Sequence, residues 1–482
     1  MLTTENTREK RYLYAGWMAA VLLCLLSLQV PFFSDQETLI SFPASLFAGI
    51  EPGAEAWDIS LPAYADTGHP PLIQVYIGFF WWLAGATIPV AHLATLPVLL
   101  LLISQYFLLA RRFLQGKWLG MSLILLFAQP TFLAHAVTIS TEIYLLAFSL
   151  LCFNALLSGK RFLFVIGAAI LLLCSLRGLV MIAAFGLYEW YSLRPFHWSQ
   201  LLKIAGRYAL LCIPFIGWNI YHYQTSGWIL SHADSPWSEH RALASWSSLM
   251  QGTVVLIWRY VEFGMFLVWL PVLIAWYKGT TTANTLFRFT MFLIIMLALA
   301  LLPFENPITN RYLLLPSLLA CLLSLSAMSQ WKYGFMFAMI CAVGLSCSHL
   351  YVYPESWSKR IGYAFDATLA FLPYSMHLRP KMETYLEQNL AIDETDVVWS
   401  GFPEHHPYKW TNPSWTDTRI IQHQIDTQHI ELADYIVLSN MMNEIPYGTA
   451  LYIRRVWTPM VRFERGAINL ELYRNPKAVK NG

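Results

Sequence analysis

Long apolar runs alternate with short polar breaks until about residue 352, where the pattern changes. The runs fall near 12–33, 71–88, 93–110, 118–134, 138–157, 161–176, 178–193, 204–222, 250–277, 286–303, 311–328 and 331–352. A helix needs roughly 20 mostly apolar residues to cross a bilayer, so the pattern predicts a polytopic bundle. From about residue 354 polar and charged residues rise, with strand-like runs at 396–399, 435–438, 451–453 and 468–473 and an amphipathic helical stretch at 378–391. The sequence therefore predicts an α-helical membrane domain over residues 1–352 and a small α/β domain over 353–482.

Basic residues punctuate the runs at Arg8, Lys10 and Arg11, at Arg111, Arg112 and Lys117, at Lys160 and Arg161, at Arg194, Lys203 and Arg207, at Lys278 and Arg288, and at Lys332. The positive-inside rule assigns all of these to the cytoplasmic face. If every run crossed, the Arg111–Lys117 loop would fall on the wrong side. The 71–88 run begins at Pro70-Pro71 and carries Tyr76, Phe79, Phe80, Trp81 and Trp82, an aromatic density suited to a helix lying at the interface. Taking it as interfacial restores the alternation. The expectation is about 11 transmembrane helices, interfacial helices in a first external loop at 34–92, the N-terminus inside and the C-terminal domain outside. The run after Arg11 lacks a small-residue cleavage site and reads as a retained first span.

Composition agrees. Of 482 residues, 57% are hydrophobic and only 12% charged, which excludes an ordinary soluble domain. The net charge of +2 says little, and no segment combines a basic patch with stacking aromatics, so nucleic acid is not an expected partner. All 7 cysteines lie in apolar runs without metal-ligand spacing.

The candidate chemistry sits on the predicted outer side. Between residues 34 and 92 the acids are Asp35, Glu37, Glu51, Glu55, Asp58 and Asp66, with no Lys or Arg among them. Asp35, just past the first span, fits a general base, a ligand for a divalent cation, or a helix N-cap. Glu142 lies in an apolar run, where a carboxylate needs a partner or a function. Arg177 and Arg311 break the positive-inside pattern by facing outward, and a guanidinium grips a phosphate with two parallel hydrogen bonds. Arg259 and Glu262, spaced i and i+3, read as a pair. Gly68-His69-Pro70-Pro71-Leu72 presents His69 on a rigid loop, because Pro70 keeps it out of helical geometry.

In this order, an acid after the first span, His-Pro-Pro-Leu, an acid near the fourth span, an outward Arg after the fifth, a late Arg-Tyr-Leu-Leu-Leu-Pro and a small outer domain, the chain resembles the GT-C glycosyltransferases. It looks most like the group containing protein O-mannosyltransferases and the aminoarabinose transferases that modify lipid A. The resemblance covers residues 12 to about 352 in organisation, and Ile468–Arg474 has the same flavour. It implies transfer of a sugar from a polyprenyl-phosphate donor to a lipid, glycan or protein acceptor, at the outer face of a bacterial inner membrane. Asp35 and Glu142 would be the catalytic acids and the metal candidates, should a divalent ion take part. Glu37, Asp66, His69, Arg177, Arg259, Arg311 and Tyr312 would bind substrate. Two departures stand out: Gln36 separates Asp35 from Glu37, and His69 stands where the aminoarabinose transferases carry Lys. The main rival, a transporter or flippase, predicts inverted repeats and broken helices bearing charges, neither of which the sequence displays. An O-antigen ligase would carry its main external loop late rather than first. A non-enzymatic assembly factor would tolerate substitution of Asp35.

Overall fold

The computed structural model describes residues 7–32, 36–50, 56–57, 61, 66–192, 197–229, 232, 241–279, 284–357, 367–390, 397–400, 423–424, 429–441 and 445–477. The bundle comprises α1 (Thr7–Leu26), α2 (Phe42–Phe47), α3 (Leu72–Ala84), α4 (Ile88–Ala110), α5 (Lys117–Ala128), α6 (Pro130–Val137), α7 (Thr141–Leu157) and α8 (Arg161–Cys174). It continues through α9 (Arg177–Ser192), α10 (Trp198–Leu211), α11 (Ile213–Ser226), α12 (Trp246–Val261), α13 (Met265–Tyr277), α14 (Asn284–Leu301), α15 (Leu314–Met328) and α16 (Gly334–Ser348). These follow the apolar runs closely. α15 is buried along its whole length, so it forms the axis of the bundle, packed by α13, α14 and α5. α4 and α7 pack side by side, and α7 and α8 form a hairpin.

Among the described residues, two helices are by themselves long and apolar enough to cross a membrane, Ile88–Ala110 and the stretch Asn310–Met328, and up to five spans result if each bent pair is one span. The bends correct two expectations. The run 250–277 is not one helix: α12 and α13 meet at 90°, and the runs 118–134 and 204–222 are likewise broken, by 66° at α5–α6 and 47° at α10–α11. Broken helices are therefore present. Their causes are local. Pro130 removes a backbone donor after α5, and Phe263 and Gly264 adopt φ of 49° and 80°, which no helix continues through. α3 has 13 residues, a length of about 20 Å against a hydrocarbon core of roughly 30 Å. It packs against α2 of the first loop.

The C-terminal domain holds α17 (Arg379–Asn389), α18 (Tyr447–Val456) and a five-stranded sheet. Its strands are β1 (Val398–Ser400), β2 (His423–Gln424), β3 (Tyr435–Ser439), β4 (Thr458–Arg465) and β5 (Ile468–Arg474), in the order β2-β1-β3-β5-β4. β1 runs parallel to β2 and β3, whereas β5 is antiparallel to β3 and β4. Residues 451–453, expected as strand, lie instead in α18. Ala450 and Ile453 are buried one turn apart while Tyr452 stays exposed, so the apolar triplet serves a helical period rather than an alternating one. β4 had no sequence signal, because it is an edge strand with mostly exposed side chains. The core of this domain includes Phe371, Tyr374, Ile436 and Leu472 and is continuous with Val30, Ala134, Val137 and Phe263 of the bundle. The domain thus sits on the end of the bundle where α1 and α6 finish and α12 breaks.

Candidate functional site

That end also gathers Glu142, Arg177, Arg311 and Tyr312. Ser140 caps α7 by accepting from the Glu142 N–H at 3.1 Å. Glu142 in the first turn is favoured by the unpaired N–H groups there. Arg177, the first residue of α9, stands where a cation opposes the helix dipole. Glu142 offsets this: Arg177 Nη1 donates to Oε2 at 2.6 Å and Nη2 to Oε1 at 2.9 Å. Arg177 Nη2 also reaches Thr141 Oγ1 at 3.4 Å. Gly178 makes this docking possible, since a Cβ there would collide with the Leu171 carbonyl at the end of α8.

Arg311 enters from the turn before α15, its Nε 3.8 Å from Glu142 Oε1. The Tyr312 ring lies against both cations, 4.6 Å from the Arg177 guanidinium and 5.3 Å from that of Arg311. Two guanidiniums thus converge on one buried carboxylate. The Glu142 side chain is 3% exposed, against 19% for Arg177 and 12% for Arg311. A buried carboxylate thus backs two cations that reach the surface, a pattern suited to holding an anion. Both Glu142 oxygens accept from Arg177, which takes up one lone pair on each. Among the described residues no three His, Cys, Asp or Glu side chains gather as a metal site.

The first loop reaches the same place. Asp35 lies outside the described residues, as does the side chain of Glu37, whose backbone opens a π-helical turn over Glu37–Ser41. Gln36, next to Asp35, accepts from the Thr141 N–H at 3.4 Å, beside Glu142. His69 Nδ1 accepts from the Leu176 N–H at 3.5 Å, immediately before Arg177. The loop is therefore docked on the starts of both α7 and α9.

Asp66 is buried and anchors this loop. Its Oδ1 accepts from the Gly68 N–H at 2.9 Å, and its Oδ2 meets His222 Nε2 at 2.7 Å and Ser226 Oγ at 3.2 Å. Arg241 donates to the Thr67 carbonyl. The basic groups missing from residues 34–92 are thus supplied from far along the chain. Sequence reasoning did not single out His222 or Arg241. A histidine closing the 204–222 run, and an arginine in an external loop, were the available signals.

Arg259 belongs to a neighbouring network rather than to the Glu142 cluster. Its Nη1 donates to Glu262 at 2.8 and 3.1 Å, and its Nε to the Ile308 carbonyl at 2.9 Å. Glu305 accepts from the Ser245 N–H at 3.1 Å and ties two loops together. Arg111 and Arg112 lie at the opposite end: Arg111, after α4, pairs with Glu9 at 3.3 Å, and Arg112 reaches the Asn154 carbonyl near the end of α7.

No protein-family model matches the chain, and neither does any curated protein. Two solved structures of ArnT from Cupriavidus metallidurans do resemble it. The apo form superposes with a TM-score of 0.52 at 11% identity, and the form bound to undecaprenyl phosphate with 0.48 at 13%. Each alignment covers 96% of this chain and 98% of the ArnT chain. Over nearly its whole length this chain has the fold of ArnT, as its sequence resemblance to the aminoarabinose transferases implied.

Proposed function

We propose that the protein is an integral membrane glycosyltransferase that takes a sugar from a polyprenyl-phosphate donor. The observation that carries the reading is the convergence of Arg177, Arg311 and Tyr312 over buried Glu142, beside the docked first loop. A lipid phosphate there would meet two guanidiniums. As the C1–O bond to phosphate breaks, the leaving phosphate takes the electron pair, and the guanidiniums stabilise the charge that develops. The acceptor hydroxyl or amine forms the new bond to C1 from the opposite face, inverting it, and gives its proton to Asp35. His69 and Glu37 would line the approach from the first loop, while Asp66 holds that loop. A divalent ion, if used, would bind at Asp35.

The positive-inside rule assigns the Arg111–Arg112 end to the cytoplasm and the site, with the C-terminal domain, to the outer face. About 11 spans and a bacterial inner membrane go with this reading, the acceptor being a lipid, glycan or protein. The fold shared with ArnT supports the transferase over a flippase, although the broken helices are a feature both could have.

The test is transfer by purified protein in detergent from radiolabelled polyprenyl-phosphate pentoses and hexoses to extracted membrane acceptors. Wild-type transfer that is lost in well-folded Asp35→Asn supports the reading, and equal transfer by both removes Asp35 from it. Wild-type activity that survives EDTA removes the metal. Undecaprenyl phosphate, held by the ArnT structure, is the first lipid to try as a competing ligand.

A further inference from the structure

Arg259 and Glu262 lie beside the break between α12 and α13, with side chains only 2% and 0% exposed. Burying an ion pair this completely is costly, and it persists where its remaining hydrogen bonds do a job. Those bonds point at one segment. Arg259 Nε donates to the Ile308 carbonyl at 2.9 Å, and the Arg259 carbonyl accepts from Asn310 Nδ2 at 3.4 Å. The residues thus gripped on both sides of Thr309 lead directly into Arg311 and Tyr312. On the other side, Tyr353 donates to Glu262 Oε2 at 2.9 Å. Tyr353 stacks on Trp357, which meets Trp258 edge-on, so the exit of the bundle is packed onto the same break.

We propose that Arg259, Glu262 and Tyr353 are positioning residues that fix the 308–312 segment and thereby set where Arg311 and Tyr312 meet the donor phosphate. The proposal rests on the phosphate-binding reading of Arg311. It separates two outward arginines of similar appearance in the sequence. Arg311 faces the Glu142 cluster, whereas Arg259 acts through the backbone of the segment that bears Arg311. Glu262 holds the guanidinium in the orientation that aims Nε at Ile308. Tyr353 holds the carboxylate. A misplacement of a binding group by about 1 Å costs on the order of a hundredfold in rate, so loosening this support lowers donor binding without touching the donor.

The experiment uses the full-length protein in detergent with Glu262→Gln and Tyr353→Phe, the second removing one hydroxyl and keeping the ring. Hydrogen exchange of peptides covering 306–316 is measured first, since it needs no ligand. Both variants are expected to exchange at least about threefold faster there, with the C-terminal sheet unchanged. Unchanged exchange in 306–316 in both variants overturns the proposal. Binding of undecaprenyl phosphate is then measured for wild type, Tyr353→Phe, Arg311→Ala and the double variant. Positioning through Arg311 predicts that Tyr353→Phe weakens binding by roughly three- to tenfold alone and not further when Arg311 is absent. Additive losses assign Tyr353 to general stability and overturn it. Absence of binding by wild type would sink the proposed function, while the exchange result still decides whether these residues fix the segment.

Discussion

Replacing Glu142 by glutamine tests the central cluster most directly. The change keeps the shape and removes the carboxylate charge beneath two guanidiniums. Glu142 accepts from Arg177 at 2.6 and 2.9 Å, and each hydrogen bond to a charged group is worth about 1.5–3 kcal/mol. Glutamine keeps one accepting oxygen but turns its own N–H groups toward the second donor, so close to one such bond is lost outright. The lost charge attraction is about 4 kcal/mol for charge centres about 4 Å apart at an effective dielectric of 20. Sparing the carboxylate its desolvation offsets part of that, and Arg177 keeps some contact with solvent. The net expectation is a loss of about 2–4 kcal/mol in the ligand-free protein. A bound phosphate would supply the missing negative charge. Thermal unfolding in detergent should therefore show Glu142→Gln melting below wild type, with undecaprenyl phosphate raising its Tm by more than it raises that of wild type. Equal melting without ligand, or an equal ligand shift in both proteins, would refute the account of Glu142 as the counter-charge of a phosphate site.

Other parts of the structure give separate tests. Gly178→Ala forces α9 away from the Leu171 carbonyl and is expected to cost about 1–3 kcal/mol and most of the transfer activity, because Arg177 moves with the helix; wild-type unfolding and kinetics would count against the close packing. Asp66→Asn weakens the bond to His222 and should cost about 1–3 kcal/mol, with faster hydrogen exchange over 66–72 and no change in the C-terminal sheet. In the C-terminal domain Arg454 donates to Glu355 at 2.6 Å and to buried Glu471 at 2.7 Å. Burial works against its charge, but these two carboxylates outweigh it and hold the Arg454 pKa above the ordinary value. Arg454→Ala is expected to speed proteolytic release of the C-terminal domain, and an unchanged cleavage pattern would show that the link through Glu355 does not secure it.

The residues that disclosed the site in the sequence were those with no business in an apolar run. Glu142, Arg177 and Arg311 each break a pattern that water and lipid impose, and each proved to lie in one cluster. Asp35, the base of the proposed reaction, lies outside the described residues, so its role rests on the sequence and on Gln36 docking beside Glu142. Arg259 breaks the same pattern and yet serves another network, because hydropathy registers that a charge needs a partner without registering which partner it finds.

Periodicity and hydropathy determined the helices, the short α3 and the change of character near residue 354, since these depend on neighbours along the chain and on the solvent each segment meets. They could not determine the bends. The run 250–277 is apolar enough throughout, and only the buried Arg259–Glu262 pair and the positive φ angles of Phe263 and Gly264 turn it through 90°. Nor could they place Asp66 on His222, residues 156 positions apart, or decide that 451–453 is helix, where burial one turn apart overrides local strand preference. Which charge meets which, and which face of a short apolar run is covered, are fixed by contacts between distant segments, and those exist only once the chain has folded.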